Sequence, residues 1–265
     1  MSLSNVLEGR TILITRPRSQ TWETSEAVKQ QGGRPLLFPV LAIMDPESWE
    51  SCDAALKRLG DYDAIVFTSV NGVAAFQKRA GVLGVPLEGL SRIPVYAIGE
   101  ATAAGIESWG IRVKAIPKQY STEGLQDLFA DTSVRGTRFM LVQGSIARQD
   151  LREFLAAAGA ITATVVVYRT VEVVPPETDA LVALLRNGAV DVVTFASPSA
   201  VRSFFHATRC ETLFRARGVP LIAVIGSTTS EEVKKRGLPV SVIAKTSTMS
   251  GLVEAIRDHF LELEK

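Results

Sequence analysis

At 265 residues the chain can hold one large domain or two small ones, each with its own core. Twenty-nine basic residues stand against 28 acidic ones, a net charge of +1, so the totals provide neither a nucleic-acid surface nor an anionic-membrane surface, and local groups must hold any anionic ligand. No apolar run approaches the roughly 18 residues that span a bilayer. The start MSLSNVLEGR lacks the apolar core of an export signal, and the two cysteines, Cys52 and Cys210, are too few for a disulfide framework and are not spaced as a metal pair. The reading is a cytoplasmic protein in which both cysteines serve packing.

The predicted strands, in chain order, are Thr11–Thr15, Leu36–Val40, Ala64–Phe67, Val95–Ile98, Val113–Ile116, Phe139–Val142, Thr164–Tyr168, Val192–Phe195, Leu221–Ile225 and Val240–Ile243. Their continuous, β-branched apolar character suits parallel sheets covered on both faces. Helices fill the intervals, among them Ser19 to Gln31 closed by Gly32-Gly33 and Ala147 to Ala158 closed by Gly159. The alternation is that of doubly wound α/β sheets of flavodoxin type.

The pattern occurs twice. DAIVFTSVNGVAAF from Asp63 matches DVVTFASPSAVRSF from Asp191, an offset of 191 minus 63, or 128. Gly99 in VYAIGEATAAGIESWG pairs with Gly226 in LIAVIGSTTSEEVKKRG at an offset of 127, which holds to Gly124-Leu125 against Gly251-Leu252. More loosely, TILITRP from Thr11 resembles FMLVQGS from Phe139. Three matches in order indicate a duplication and two α/β halves.

Ligands of open parallel sheets bind outside the carboxyl ends of the strands. The turns there are Thr15-Arg16-Pro17, Thr68-Ser69-Val70-Asn71, Gly99-Glu100-Ala101-Thr102, Gln143-Gly144-Ser145, Ser197-Pro198-Ser199 and Gly226-Ser227-Thr228-Thr229. Any one of these is more often a plain helix cap. Six on one side offer backbone N–H groups at helix N-termini, which attract carboxylate or phosphate without a lysine cluster. Neither G-x-G-x-x-G nor a P-loop occurs, nor G-x-S-x-G, which argues against dinucleotides, nucleoside triphosphates and hydrolase nucleophiles. His206 and His259 lack partners at ligand spacing, so no metal is read, and Trp22, Trp49 and Trp109 are read as core anchors. Tyr168 stands apart: it ends TVVVY just before Arg169-Thr170 and the proline-containing stretch beyond, at a candidate hinge, although a half-buried strand-end tyrosine with its hydroxyl tied to backbone fits the same residues.

TRP at Thr15–Pro17, FPVLAI at Phe38–Ile43, FTSVNGV at Phe67–Val73, AIGEATA at Ala97–Ala103, VVVYRT ending at Thr170, FASPSAV at Phe195–Val201 and VIGSTT at Val224–Thr229 together resemble the uroporphyrinogen-III synthase family over nearly the whole chain. The resemblance implies two similar doubly wound parallel-sheet domains joined by a two-stranded antiparallel connector, with a cleft between them. One domain would be residues 1–38 plus 173–265, the other 44–166, and residues 39–43 and 167–172 the connectors. It implies hydroxymethylbilane as small-molecule substrate, closed to uroporphyrinogen III with loss of water and inversion of ring D through a spiro intermediate. No cofactor and no metal are implied, nor nucleic acid or membrane. A monomer is expected, with transient contact to the deaminase that makes the substrate.

Tyr168 would be the acid that protonates the departing hydroxyl, since a phenol carries its proton at pH 7. Substrate contacts would be Thr15 and Arg16 from the first turn, Thr68, Ser69 and Asn71 from the second, and Gly99 and Thr102 from the third. Ser121, Gln143 and Arg148 follow, then Ser197 and Ser199, and finally Gly226, Ser227, Thr228 and Thr229. Arg16 and Arg148 would meet substrate carboxylates. A two-domain, hinge-type binding protein without catalysis is the rival reading, weakened by the missing export signal. A response-regulator receiver would need acidic residues clustered at strand ends, where these turns carry Thr, Ser and Gly.

Overall fold

A computed structural model describes residues 5–130, 132–215 and 220–263. The chain divides into two compact units, Met1–Ala42 with Val171–Lys265, and Ile43–Thr170. In chain order the elements are β1 (Thr11–Ile14), α1 (Trp22–Gln30), β2 (Arg34–Leu37), β3 (Leu41–Met44), α2 (Glu50–Lys57), β4 (Ala64–Phe67) and α3 (Val70–Leu83). Then follow β5 (Val95–Ala97), α4 (Glu100–Glu107), β6 (Val113–Ala115), α5 (Thr122–Ala130), β7 (Arg138–Gly144), α6 (Asp150–Ala157) and β8 (Ile161–Glu172). The chain closes with α7 (Thr178–Arg186), β9 (Val192–Phe195), α8 (Pro198–Thr208), β10 (Leu221–Val224), α9 (Ser227–Lys234), β11 (Val242–Ile243) and α10 (Met249–Leu263).

The first unit holds a parallel sheet in the order β11-β10-β9-β1-β2, the flavodoxin order when its strands are counted along the chain. The second holds β3-β8-β7-β4-β5-β6, parallel from β8 to β6. Overlaying the repeats makes β9, β10, β11, β1 and β2 the counterparts of β4, β5, β6, β7 and β8. The two five-stranded arrangements are then identical, and one is a circular permutation of the other.

Both sheets are buried on both faces because their strands are apolar at consecutive positions. Leu13, Val193, Phe195, Ile222 and Val224 feed one core of the first unit, and their neighbours Ile12, Val192 and Ala223 feed the other. In the second unit Ile65, Phe67, Met140 and Val142 face one way, and Val66, Phe139 and Leu141 the other. Each such Val, Leu, Ile, Met or Phe side chain contributes about 1.5–3 kcal/mol by leaving water. Cys52 and Cys210 are buried within these cores as packing residues.

Tertiary packing corrects several local readings. The loose match of Thr11 with Phe139 is one residue out of register. Asp63 N–H donates to the Arg138 carbonyl and Asp191 N–H to the Thr11 carbonyl, so Thr11 corresponds to Arg138, and 138 minus 11 gives 127. A one-residue slip exchanges the two faces of a strand, so the difference matters for the core. β2 starts at Arg34, earlier than read from its apolar residues, and tolerates Pro35 because it is an edge strand. α1 begins at Trp22 after a 3-10 turn, and α6 begins at Asp150, later than Ala147. Trp22 is 74% exposed and anchors no core, whereas Trp49 and Trp109 pack against the second unit's core. Gly32 and Gly159, again 127 apart, both end helices at positive φ (82° and 85°), where a side chain would be strained. Among the described residues, no helix is long and apolar enough to cross a membrane.

Candidate active site

In the second unit the sheet order reverses between β4 and β7, and the carboxyl ends of these strands present Thr68-Ser69 and Gln143-Gly144. Such a switch point opens a crevice in doubly wound sheets. Thr68 spends both its N–H and its hydroxyl on the Val142 carbonyl, each at 3.2 Å, which ties the end of β4 to β7. Ser69 is the N-cap of α3: its Oγ accepts from Gly72 N–H at 3.0 Å and lies 3.1 Å from the Tyr168 hydroxyl. Tyr168 comes from β8, whose ladder with β7 shifts between Gln143 and Gly144. Its phenol lies against the Gly144 backbone, where an added Cβ would stand 2.6 Å from the ring.

These residues border a cavity of about 230 Å³ lined by Thr68, Gln143, Gly144, Arg148, Tyr168 and Thr170 together with Ile98, Thr122, Ile146, Ala147 and Leu151. Gln143 is buried in its wall. Arg148 is half exposed and already bridges Glu123 at 2.7 Å and Asp150 at 3.5 Å. A backbone N–H, the Ser121 hydroxyl and Arg148 together hold the Glu123 carboxyl below the usual range. Ser121 caps α5 through Gly124 N–H at 3.1 Å, and Asn71 sits half-buried in the first turn of α3. Gly99 opens α4 beneath the Tyr120 ring, whose phenol is raised by its hydrogen bond to Glu100, and Thr102 is buried in that helix.

The first unit carries the permuted counterpart. Thr15 is fully buried, its hydroxyl donating to the Thr194 carbonyl at 2.7 Å, while Thr194 returns a bond to the Leu13 carbonyl at 2.8 Å. These bonds lace β1 to β9 across the switch point. Arg16 is half-buried and donates to Gln20 Oε1 at 2.8 Å. Burial pulls its guanidinium below its ordinary range, against an opposing pull from Glu23. Among the described residues it pairs with no carboxylate within 4.0 Å. Ser197 caps α8 through Ala200 N–H at 3.2 Å, and its Oγ meets the Ser199 hydroxyl at 3.1 Å. Gly226 caps α9, leaving Ser227 and Thr228 exposed and Thr229 buried.

The repeat therefore pairs Ser69 with Ser197, Gly99 with Gly226, Thr102 with Thr229, and Ser121 with Thr248. Thr248 was not read as a site residue, although it caps Gly251 N–H at 3.0 Å just as Ser121 caps Gly124; the 127 offset would have found it. Charge separates the helix starts. α4 and α5 carry Glu100 and Glu123 in their first turns, whereas the first turns of α3, α8 and α9 have no acidic residue. These three, together with the start of α10, have no acidic side chain in the first turn to answer their partial positive charge. Among the described residues no group of His, Cys, Asp and Glu is placed to hold a metal.

A family model described as uroporphyrinogen-III synthase HemD matches residues 23–254. The uroporphyrinogen-III synthase of Chlorobaculum parvum is 28% identical over 94% of this chain and 98% of its own length. That of Synechococcus elongatus is 29% identical over 94% and 95%. A crystal structure of a mutant uroporphyrinogen III synthase from Thermus thermophilus shares the fold with a TM-score of 0.67 at 19% identity, covering 96% of this chain and 99% of that one. The uroporphyrinogen-III synthetase of Helicobacter pylori gives 0.57 at 18%, covering 96% and 97%. The motifs, the permuted pair of sheets and the family match over most of the chain converge: the chain belongs to the uroporphyrinogen-III synthase family, lyases of tetrapyrrole biosynthesis.

Proposed function

We propose that this chain closes hydroxymethylbilane to uroporphyrinogen III, with Tyr168 as the acid. One observation carries the assignment to this site: a phenol at the switch point of the second unit, hydrogen-bonded to a helix-capping serine beside a cavity with few charges. The hydroxymethyl C–O bond breaks as the pyrrole nitrogen pushes, and the phenol proton leaves with the oxygen as water. The substituted carbon of the terminal ring then attacks the freed methylene, forming a spiro centre that fragments and recloses with ring D inverted. The proton released on closure restores the phenol.

The linear substrate closes by itself to the uninverted isomer, so conformational control matters more than the acid. Backbone N–H groups at the acid-free starts of α3, α8 and α9, with the hydroxyls of α8 and α9, receive substrate carboxylates, and Arg16 supplies a cation that meets no carboxylate within 4.0 Å among the described residues. A substrate carboxylate must compete with Glu123 for Arg148. The enzyme works in the cytoplasm as a monomer and takes its substrate from the deaminase that makes it. The test supplies hydroxymethylbilane to the purified chain, oxidises the product and separates the isomers. The inverted isomer is expected; the uninverted isomer alone, at the blank rate, overturns the proposal.

A further inference from the structure

The proposed acid is held by two contacts from different strands. Ser69 is fixed before Tyr168 reaches it: its backbone is extended (φ −169°) at the start of α3, and Gly72 N–H occupies one lone pair of its Oγ. A serine hydroxyl has one proton and two lone pairs. The direction of the Ser69–Tyr168 bond then decides what the phenol can do. A phenol that donates to Ser69 has no proton left for substrate; a phenol that accepts from Ser69 keeps its own O–H for a second partner. The partial positive charge at the start of α3, a 14-residue helix, further favours developing negative charge on the phenol oxygen.

Gly144 is the second contact. A Cβ there would lie 2.6 Å from Cζ, 2.7 Å from Cε2 and 2.9 Å from the hydroxyl of Tyr168. Those atoms would have to move, and with them the hydrogen bond to Ser69. The first unit supplies an internal comparison. Ser197 caps α8 as Ser69 caps α3, but its hydroxyl meets Ser199, and the residue 127 positions before Gly144 is Pro17. Capping is common to both copies, whereas the phenol and the glycine beneath it belong to one.

We infer that Ser69 and Gly144 are positioning residues for Tyr168: Ser69 donates to the phenol oxygen, so that the Tyr168 proton is turned toward substrate, and Gly144 provides the space in which the ring lies. This rests on the reading of Tyr168 as the acid. In the step, the phenol proton passes to the hydroxymethyl oxygen, the C–O electron pair departs with that oxygen as water, and the phenoxide keeps the Ser69 hydrogen bond. The proton lost on ring closure regenerates the phenol, so no further reactant is required.

The test measures kcat, KM, pH–rate profiles and thermal midpoints of the full chain with hydroxymethylbilane for Ser69→Ala, Ser69→Asp, Ser69→Thr and Gly144→Ala, each alone and combined with Tyr168→Phe. Aspartate caps a helix as well as serine but has no proton to give at neutral pH, so it separates capping from donation. Ser69→Ala and Ser69→Asp should lower kcat about tenfold with KM little changed, the aspartate variant keeping the wild-type thermal midpoint. Ser69→Thr should recover most of the rate, and Gly144→Ala should lower kcat without it. In the Tyr168→Phe background none of these changes should cost more than about twofold further, because the pathway they serve is gone. Full, independent losses in that background overturn the positioning role while leaving the acid in place. So does wild-type kcat for Ser69→Asp and Gly144→Ala beside a slow Tyr168→Phe. A Tyr168→Phe enzyme with wild-type turnover removes the acid assignment and this inference together.

Discussion

Ser69 and Tyr168 lie 99 positions apart in the chain, and their side-chain oxygens lie 3.1 Å apart in the fold. β4 delivers the serine at its carboxyl end and β8 the tyrosine, with β7 between the two strands.

Tyr168→Phe keeps the ring over Gly144 and removes only the proton donor. kcat should fall about 100-fold with the inverted isomer still the product, because a positioned acid is typically worth 10²–10⁴ and orientation is untouched. Single-turnover rates and isomer analysis of the oxidised product check both parts.

Arg16 differs from Arg148 in bridging no carboxylate within 4.0 Å among the described residues. Arg16→Ala should raise KM about tenfold with kcat nearly constant, the signature of lost uniform binding, while Arg148→Ala should change KM by less than about threefold, since its guanidinium is already engaged by Glu123 and Asp150. Steady-state kinetics at fixed ionic strength separate the two.

Burial pushes the Cys52 thiol up to about 12, with Asp53 adding to the rise, and also raises Cys210. The thiolate is the reactive form. Neither cysteine should react with a chromogenic disulfide reagent in the native protein, and both should react in guanidinium; rapid native labelling of either would contradict the packing described here.

Gly124 and Gly251 occupy equivalent sites where a Cβ would meet backbone oxygen, 2.1 Å from Gln119 O and 2.6 Å from Thr246 O. Backbone cannot swing aside as a side chain does. Alanine at either position should destabilise by about 2 kcal/mol, read as a lowered midpoint in urea, with Gly124→Ala the more damaging.

Asp63 is held below the usual carboxylate range first by the Arg138 N–H, and Asp53 first by its hydrogen bonds to Arg79. A depressed folded pKa contributes stability that is present above the unfolded value of about 3.9 and is lost as pH falls through the lower folded value. Asp63→Asn and Asp53→Asn should therefore lie below wild type in urea midpoint at pH 7 and converge with it under strong acid. Parallel curves across that window would exclude the linkage.

The existence of two α/β halves was legible in the chain because DAIVFTSVNG and DVVTFASPSA repeat without a gap, and β4 and β9 have the predicted bounds. The family was legible for the same reason: its motifs are the turns between repeating units. Tyr168 could be singled out as the polar end of an apolar strand. Ser69 could be named as a substrate contact from the resemblance, but not as the partner of Tyr168, because it carries a complete local explanation as a helix cap. The one-residue slip at Thr11 and the exposed Trp22 have another cause: periodicity in a short apolar strand does not fix register, and aromatic character does not fix burial at the first residue of a helix.

The amino-acid sequence by itself determined the strand–turn–helix grammar, its duplication and the family, since these depend on local apolar runs, caps and turn residues. The resemblance had already implied a discontinuous domain; only the tertiary structure decided which strands neighbour one another, making the two sheets circular permutants. It also decided that the Tyr168 phenol lies over Gly144 within reach of Ser69. Those relationships depend on which strands hydrogen-bond side by side. That choice is set by burying both faces of each sheet at once, a condition on the whole chain that no local stretch carries.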